Sequence, residues 1–472
     1  MTVDIGDRRE LFVDHALIDK LDNVALDLKE PRPGGVAIRF DEPWEGQFCG
    51  YNTVIRDGDT YLLYYRGNMD ESADPPREAV TCRAVSADGR EFTKPRYGMC
   101  EVDGSSDNNV ILADGGTATH NFSPFIDTRP GVAADERFKA LAGLQSSGLL
   151  GFTSADGIHW SQIRDEPLIP SVEEEDRYDS QNLAFWSEHE GCYVCYFRAY
   201  RDGVRKIARS VSADFLTWSE RELMDLGDTA DEHLYVNQTT PYFRAPHIYI
   251  SLPARFMSER KILSDEEGER YGYGHHYSKG VGYWQDCAET LLMTSRGGTV
   301  YDRTFMQGFV RPGLDRRNWG SRCNYATLGV VQTGPEEMSI YVDRHNAQPD
   351  KYLERLTLRL DGFASIRAPY AGGEATTKLL RFDGAQLEIN YATGAGGHVR
   401  VELQEEDGRP IDGFGAGDCE LIVGDEIERV VRWGESADVS KLVGRPVKVR
   451  FDMKDADLYS MRFGPASVST RA

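Results

Sequence analysis

One turn recurs along this chain. It is written Ser86-Ala87-Asp88-Gly89-Arg90-Glu91-Phe92, then Ser154-Ala155-Asp156-Gly157-Ile158-His159-Trp160, then Ser212-Ala213-Asp214-Phe215-Leu216-Thr217-Trp218. Further copies stand at Ser295-Arg296-Gly297-Gly298-Thr299-Val300-Tyr301 and Arg359-Leu360-Asp361-Gly362-Phe363. Counted from the Asp, or from Gly297 in its place, the copies are 68, 58, 83 and 64 residues apart. That spacing is too long for a hairpin and suits a four-stranded sheet with its loops, so the repeat predicts a propeller of five blades. The turn has its own chemistry. Asp hydrogen-bonds backbone two residues on, Gly accepts a positive φ, and the aromatic that follows can pack between neighbouring units.

Each turn closes a similar series of strands. The first begins at Gly50-Tyr51-Asn52-Thr53, turns at Asp57-Gly58 between apolar runs, a strong hairpin signal, and returns as Tyr61-Leu62-Leu63-Tyr64-Tyr65-Arg66. The fourth unit carries a long charged insertion near 258–286. After Ala368 the rhythm stops, and Ala371-Gly372-Gly373 reads as a linker to short alternating strands such as Ala385 to Tyr391 and Val447 to Met453. The expectation is an all-β chain: a five-bladed β-propeller over 1–370, followed by a β-sandwich over 371–472. Residues 1–40 are expected to pack against the propeller or to supply its closing strand.

Seventy-seven acidic residues against 54 basic ones give a formal charge of −23, which repels nucleic acid and anionic membrane rather than recruiting either. No apolar core follows a basic start in Met1 to Glu10, and no stretch approaches the roughly 18 apolar residues of a membrane span, so a cytoplasmic location is expected. The eight cysteines are scattered and read as reduced, buried thiols. Cys192 and Cys195 would face opposite sides of a strand. His120, His233, His275, His276 and His345 show no ligand spacing, and no Gly-rich phosphate loop opens a helix. The reading is therefore no cofactor, with room only for a lone central cation.

In a propeller the first strand of every blade lines the axis, and the N-terminal ends of these strands open on one mouth. The five starts hold Asn52, His120, Asn121, Asp179, Gln181, Asn182, Gln238 and Asn324, which are polar where packing asks for apolar groups. Asp179 is the acid among them, while Glu232 and Glu45 can approach from loops. Cleaving a bond between sugars takes one carboxyl as proton donor and a second as nucleophile or base, about 5 to 9 Å apart. Asp179 and Glu232 are the predicted pair, with Glu45 a third catalytic candidate. The stretch from Tyr301 to Arg322 is locally basic, with Arg303, Arg311, Arg316, Arg317 and Arg322, and arginine grips carboxylate or sulfate bidentately. The expected partner is a carbohydrate, with an acidic sugar suited to these arginines. Asn52, His120, Asn121, Gln181, Asn182, His233, Gln238, Arg303, Arg322 and Asn324 are the candidates to hold it.

With its five units, Asp-Gly aromatic turns and trailing sandwich, the whole chain resembles the five-bladed propeller glycoside hydrolases of families 32, 43, 62 and 68. It looks most like family 32, the invertase and fructanase group. Leu11-Phe12-Val13-Asp14, Asp41-Glu42-Pro43-Trp44-Glu45, His120-Asn121-Phe122-Ser123-Pro124-Phe125, Asp179-Ser180-Gln181-Asn182 and Asp455-Ala456-Asp457-Leu458-Tyr459-Ser460 resemble a bacterial group of family-32-like proteins. The resemblance implies hydrolysis of a glycosidic bond in an oligo- or polysaccharide. Family 32 places its nucleophile Asp in Asn-Asp-Pro-Asn-Gly, a stabilising Asp in Arg-Asp-Pro and its acid Glu in Glu-Cys. Here the first blade has Tyr51-Asn52-Thr53, the second His120-Asn121, and only the third supplies an acid, Asp179. Two other readings stay open: a sugar-binding propeller without catalysis, and a lyase that uses His or Tyr as base on an acidic glycan.

Overall fold

The computed structural model describes residues 2–67, 77–171, 178–276 and 280–465, nearly all of them strand and loop around a short α-helix at Asp265–Arg270. The chain divides into two units, Pro31–Thr357 and a second that joins Met1–Glu30 to Leu358–Ala472.

The first unit is the five-bladed propeller. Blade one runs Gly50–Asp57, Thr60–Gly67, Val80–Ser86 and Val110–Leu112 from the axis outward, each strand antiparallel to the last. Blade two is Ser123–Ile126, Phe138–Ala142, Leu150–Ser154 and Ser161–Gln162, and blade three is Leu183–Ser187, Cys192–Arg201, Val204–Ser212 and Glu222–Leu223. Blade four has Thr239–Tyr242, Ala245–Ser251 and Met293–Ser295; the insertion lies between its last two strands. Blade five is Val331–Gln332, Glu337–Arg344 and Tyr352–Arg359, and its outer strand is Arg32–Arg39 from the start of the chain. That pairing of the two ends of the unit closes the ring. Second strands are buried on both faces, so they read as unbroken apolar runs: Tyr61, Leu62, Leu63, Tyr64 and Tyr65 are all buried.

Three of the repeated turns share one hydrogen-bond pattern. The serine Oγ accepts from the backbone N–H groups two and three residues on, and the Asp Oδ1 accepts from the N–H two beyond itself, in each of Ser86-to-Arg90, Ser154-to-Ile158 and Ser212-to-Leu216. The third residue after the serine is left-handed in all three, at φ 71° for Gly89 and Gly157 and 70° for Phe215. The turns also join blades: Tyr64 Oη donates to the Gly157 carbonyl at 2.9 Å, Tyr341 Oη to that of Gly89, and Trp160 lies against both Phe122 and Tyr64. In the fourth copy, which lacks the Asp, Glu190 of the neighbouring blade accepts from the Gly298 N–H at 3.1 Å, the donor that the serine hydroxyl takes in the other three.

The fifth copy is a correction. Asp361 sits in the second unit, buried and left-handed, where its carboxylate accepts from Asn390 Nδ2 at 3.1 Å and Ser460 Oγ at 2.6 Å. Arg359 stands where the other turns have their serine, so the bond pattern that defines them has no acceptor to start from.

The second unit is the β-sandwich. Its strands include Gln386–Gln404 and Lys448–Gly464, around a core with Phe12, Leu387, Val401, Trp433, Phe451 and Phe463. The first thirty residues belong here rather than with the propeller: Arg9–Leu11 pairs with Lys448–Gly464, Ile18–Asp22 with Gly373–Thr377, and Ala25–Leu28 with Ala364–Ala368. The expectation for residues 1–40 therefore divides at about residue 30, with only the later part closing the propeller. The boundary placed at 370 moves to 357, because Ala364–Ala368 already pairs within the sandwich.

Candidate active site

The starts of the five inner strands do converge. Blades one to five contribute Tyr51, His120, Asp179, Tyr235 and Tyr325. Tyr51 Oη donates to Asp179 Oδ1 at 2.9 Å, and His120 Nε2 lies 3.1 Å from the same oxygen. The Tyr235 and Tyr325 rings stand 5.4 Å apart. Arginines fill in around this ring. Arg66 lies over Tyr51 at 4.8 Å and Arg198 over Tyr235 at 4.1 Å, while Arg205 and Arg322 each lie 5.2 Å from the Tyr235 ring centre. Arg322 donates to Tyr235 Oη at 2.9 Å and to Tyr283 Oη at 3.2 Å. Strained backbone gathers at the same place: Tyr51 has φ 50° and Arg322 φ 59°, conformations that L-residues hold only where the surroundings enforce them.

Solvent still reaches 45% of the Asp179 side chain, although protein crowds it closely. That crowding acts to raise its pKa, but the hydrogen bond with His120 and the charges of Arg198 and Arg322 hold the carboxyl well below the usual range. His120 moves down from the ordinary histidine value, through burial first and then Arg66, so the ring is neutral near pH 7. Its Nε2 also faces Arg66 Nη1 at 3.2 Å. A neutral ring can donate from Nε2 to Asp179 or accept there from Arg66, but not both, so the tautomer of His120 sets which neighbour it serves. Tyr51 is raised well above the ordinary phenol value by burial and Asp179. Tyr235 is lowered: burial would raise it, and Arg322, Arg198 and Arg205 outweigh that.

Beside the ring lies a cavity of 430 Å³ whose wall includes Arg205, Tyr235, Phe256, Lys261, Tyr283 and Arg322. Much of that wall comes from the insertion in blade four. There Trp284 is clasped between Gly268 and Gly282, where a Cβ would fall 2.3 and 2.2 Å from the indole. A smaller pocket at the floor, with Tyr51, Arg66, Arg322 and Tyr325 on its wall, reaches Asp343. Asp343 is paired with Lys351 at 2.8 Å and raised by burial.

Most of the predicted amides serve the framework. Asn52 donates to Asp343 at 3.1 Å. Asn121 donates to the carbonyls of Gly143, Tyr178 and Ser180, Asn182 to those of Tyr178 and Ser180, and Asn324 to those of Ala288 and Asn318. Gln181 and Gln238 form a bridge across the axis: Gln238 donates to Gln181 Oε1 at 2.7 Å, and Gln181 to Thr53 Oγ1 at 2.7 Å.

The two loop glutamates are also committed. Glu45 is fully buried, accepting from Tyr65 at 2.6 Å and Lys94 at 2.8 Å. Glu232 takes Arg255 on one oxygen and Arg303 on the other, both at 2.7 Å, and the pair outweighs burial and lowers its pKa. A carboxyl held ionised is a poor proton donor, and both Asp179 and Glu232 are held so, which leaves the predicted acid and base pair without an acid. Of the basic stretch, Arg303 is taken by Glu232, Arg316 by Glu267 and Arg317 by Asp350, while Arg322 enters the mouth. His233 Nδ1 accepts from the Arg205 backbone at 3.3 Å, behind the cavity wall.

Tyr51, Arg66, Arg198, Arg205, Tyr235, Tyr283 and Tyr325 were not among the predicted site residues. Two carried a signal. Arg66 and Arg198 hold matching places in second strands, Tyr64-Tyr65-Arg66 and Tyr196-Phe197-Arg198, each a charge that follows an apolar run. Among the described residues no group of three or more His, Cys, Asp or Glu is placed to hold a metal ion, and the eight cysteines are free thiols.

No family model matches the chain, and no curated protein matches it. Solved structures do. An N-acetylgalactosamine deacetylase from F. plautii, in complex with blood group B trisaccharide, is 11% identical over 72% of this chain and 96% of its own, with a TM-score of 0.46. A glycoside hydrolase is 11% identical over 70% and 92%, at 0.43. A fructofuranosidase from Schwanniomyces occidentalis complexed with fructosylnystose is 10% identical over 93% and 99%, at 0.40.

Proposed function

We propose that this protein is a carbohydrate-active enzyme that hydrolyses a glycosidic bond, with Asp179 as the base that activates water, and that its substrate carries an acidic group. One observation carries the reading: a carboxylate kept ionised, yet open to solvent, stands where all five blades send a side chain to a single mouth. An ionised carboxylate at neutral pH suits the base of glycosidic chemistry and not its acid. Tyr51, only partly buried, suits the apolar side of a sugar ring. Arg66, Arg198, Arg205 and Arg322, gathered in one place on a protein of charge −23, suit a carboxylate or sulfate on that sugar.

The test is a panel of neutral and acidic aryl glycosides, with uronides and sulfated sugars included. The wild type should cleave acidic members, and Asp179→Asn should lose that turnover while melting at the same temperature. Full activity in the variant would remove Asp179 from the mechanism. Calorimetric binding of an acidic sugar without turnover would instead make this a sugar-binding propeller.

A further inference from the structure

We propose that Tyr235 is the proton donor of this mouth, the partner that Asp179 requires once Glu232 and Glu45 are tied up elsewhere. The inference rests on the hydrolytic reading above and names its second residue.

Tyr235 lies on the wall of the 430 Å³ cavity, and its phenol is 2.9 Å from Arg322 Nη2. Guanidinium groups surround its ring: Arg198 at 4.1 Å, with Arg205 and Arg322 at 5.2 Å. The other groups that face it are the Tyr325 and Phe256 rings, at 5.4 and 5.6 Å, together with Tyr51 and the Asp179 carboxylate, both close enough to act on it electrostatically. Phenolate is the species that three cations favour; burial and Asp179 oppose it, and the cations prevail. Two titratable groups in one site, a carboxyl held ionised and a phenol made readier to release its proton, form a base and acid pair.

The step balances without a further reactant. Water bonds to the anomeric carbon and gives a proton to Asp179. The glycosidic C–O bond breaks, its electron pair stays on the leaving oxygen, and that oxygen takes the phenolic proton of Tyr235. Arg322 pairs with the phenolate until solvent carries the proton from Asp179 back to Tyr235.

Two measurements test it. In an ultraviolet titration the wild type should show a tyrosine ionising below the ordinary value of about 10. Tyr235→Phe should lack that step, and Arg322→Gln should move it upward; a step that persists in Tyr235→Phe, or is absent from the wild type, overturns the proposal. In turnover, loss of a proton donor matters most for a poor leaving group. Tyr235→Phe should lose about 10²- to 10⁴-fold on a methyl glycoside and less than roughly tenfold on the dinitrophenyl glycoside of the same sugar. Asp179→Asn should lose both. Equal loss on both substrates in Tyr235→Phe overturns the donor role. A wild type that cleaves nothing in the panel overturns the hydrolytic reading, and the role falls with it, even when the titration assigns the low step to Tyr235.

Discussion

The two ends of the propeller axis are built from the same five inner strands and have opposite character. At the end where those strands begin, Tyr51, His120, Asp179, Tyr235 and Tyr325 meet arginines on strained backbone. At the end where they finish lies a cavity of 490 Å³ whose wall includes Phe125, Phe185, Pro241, Tyr242, Leu328 and Val331. The Gln181 to Gln238 bridge stands between them. The larger hollow is the less equipped one. It offers packing surface, whereas the mouth offers groups whose ionisation their neighbours have shifted, and shifted ionisation marks chemistry better than volume does. The cause is positional: before a strand pairs, its residues can turn side chains and backbone toward the opening, and once paired its axial face is settled by packing.

If the two ends divide the work in this way, substitutions should separate cleanly. Asp179→Asn should cut turnover by roughly 10³- to 10⁴-fold with an unchanged melting temperature. Phe185→Ala at the far end should do the reverse. It removes a ring packed 5.1 Å from Tyr249, and should cost about 3–5 kcal/mol in denaturant titrations while turnover per folded molecule holds. A loss of turnover in that variant would break the comparison. Gln181→Leu probes the bridge itself. Thr53 and Gln238 lose a buried partner, an expected cost of about 1–3 kcal/mol by the same titration, with the mouth still active.

The smallest effect sharpens the mouth alone. His120 lowers Asp179, so His120→Phe should move the acidic limb of kcat/KM upward, toward the ordinary carboxylate value of about 3.9. The same sign applies to stability. A carboxyl depressed in the folded state stabilises the fold above its unfolded pKa and loses that contribution as pH falls through the folded value. In His120→Phe that contribution should be smaller, and its loss in acid should be complete at a higher pH. A limb that stays in place would detach His120 from Asp179.

Much of the propeller was legible because its signals are local. Ser-x-Asp turns and the hairpin after Asp57 depend on bonds a few residues long, so spacing alone reports them. Where the local pattern was incomplete the reading failed: Arg359 in place of serine marked the fifth copy as a different structure. The early strands were misassigned for the converse reason. Arg9–Leu11 finds its partner more than four hundred residues away, and nothing in a short alternating run tells which sheet it will join. The site divides in the same way. Asp179 and His120 stood out in the sequence because they head inner strands, while nothing marked Tyr235 and Tyr325 as candidates, since Arg198 and Arg322 come to Tyr235 from distant parts of the chain.

By itself, then, the amino-acid order determined the repeat, the all-β character and the end of the axis at which polar side chains collect, since these rest on turn chemistry and alternation within one blade. Only the tertiary structure decided which of those side chains are free to act. Asn52 is absorbed by Asp343, Gln181 by Thr53 and Glu232 by Arg303, across 291, 128 and 71 residues of chain. Whether a polar group is available or satisfied is set by neighbours that the ring of blades brings together, and those distances are written in no local pattern.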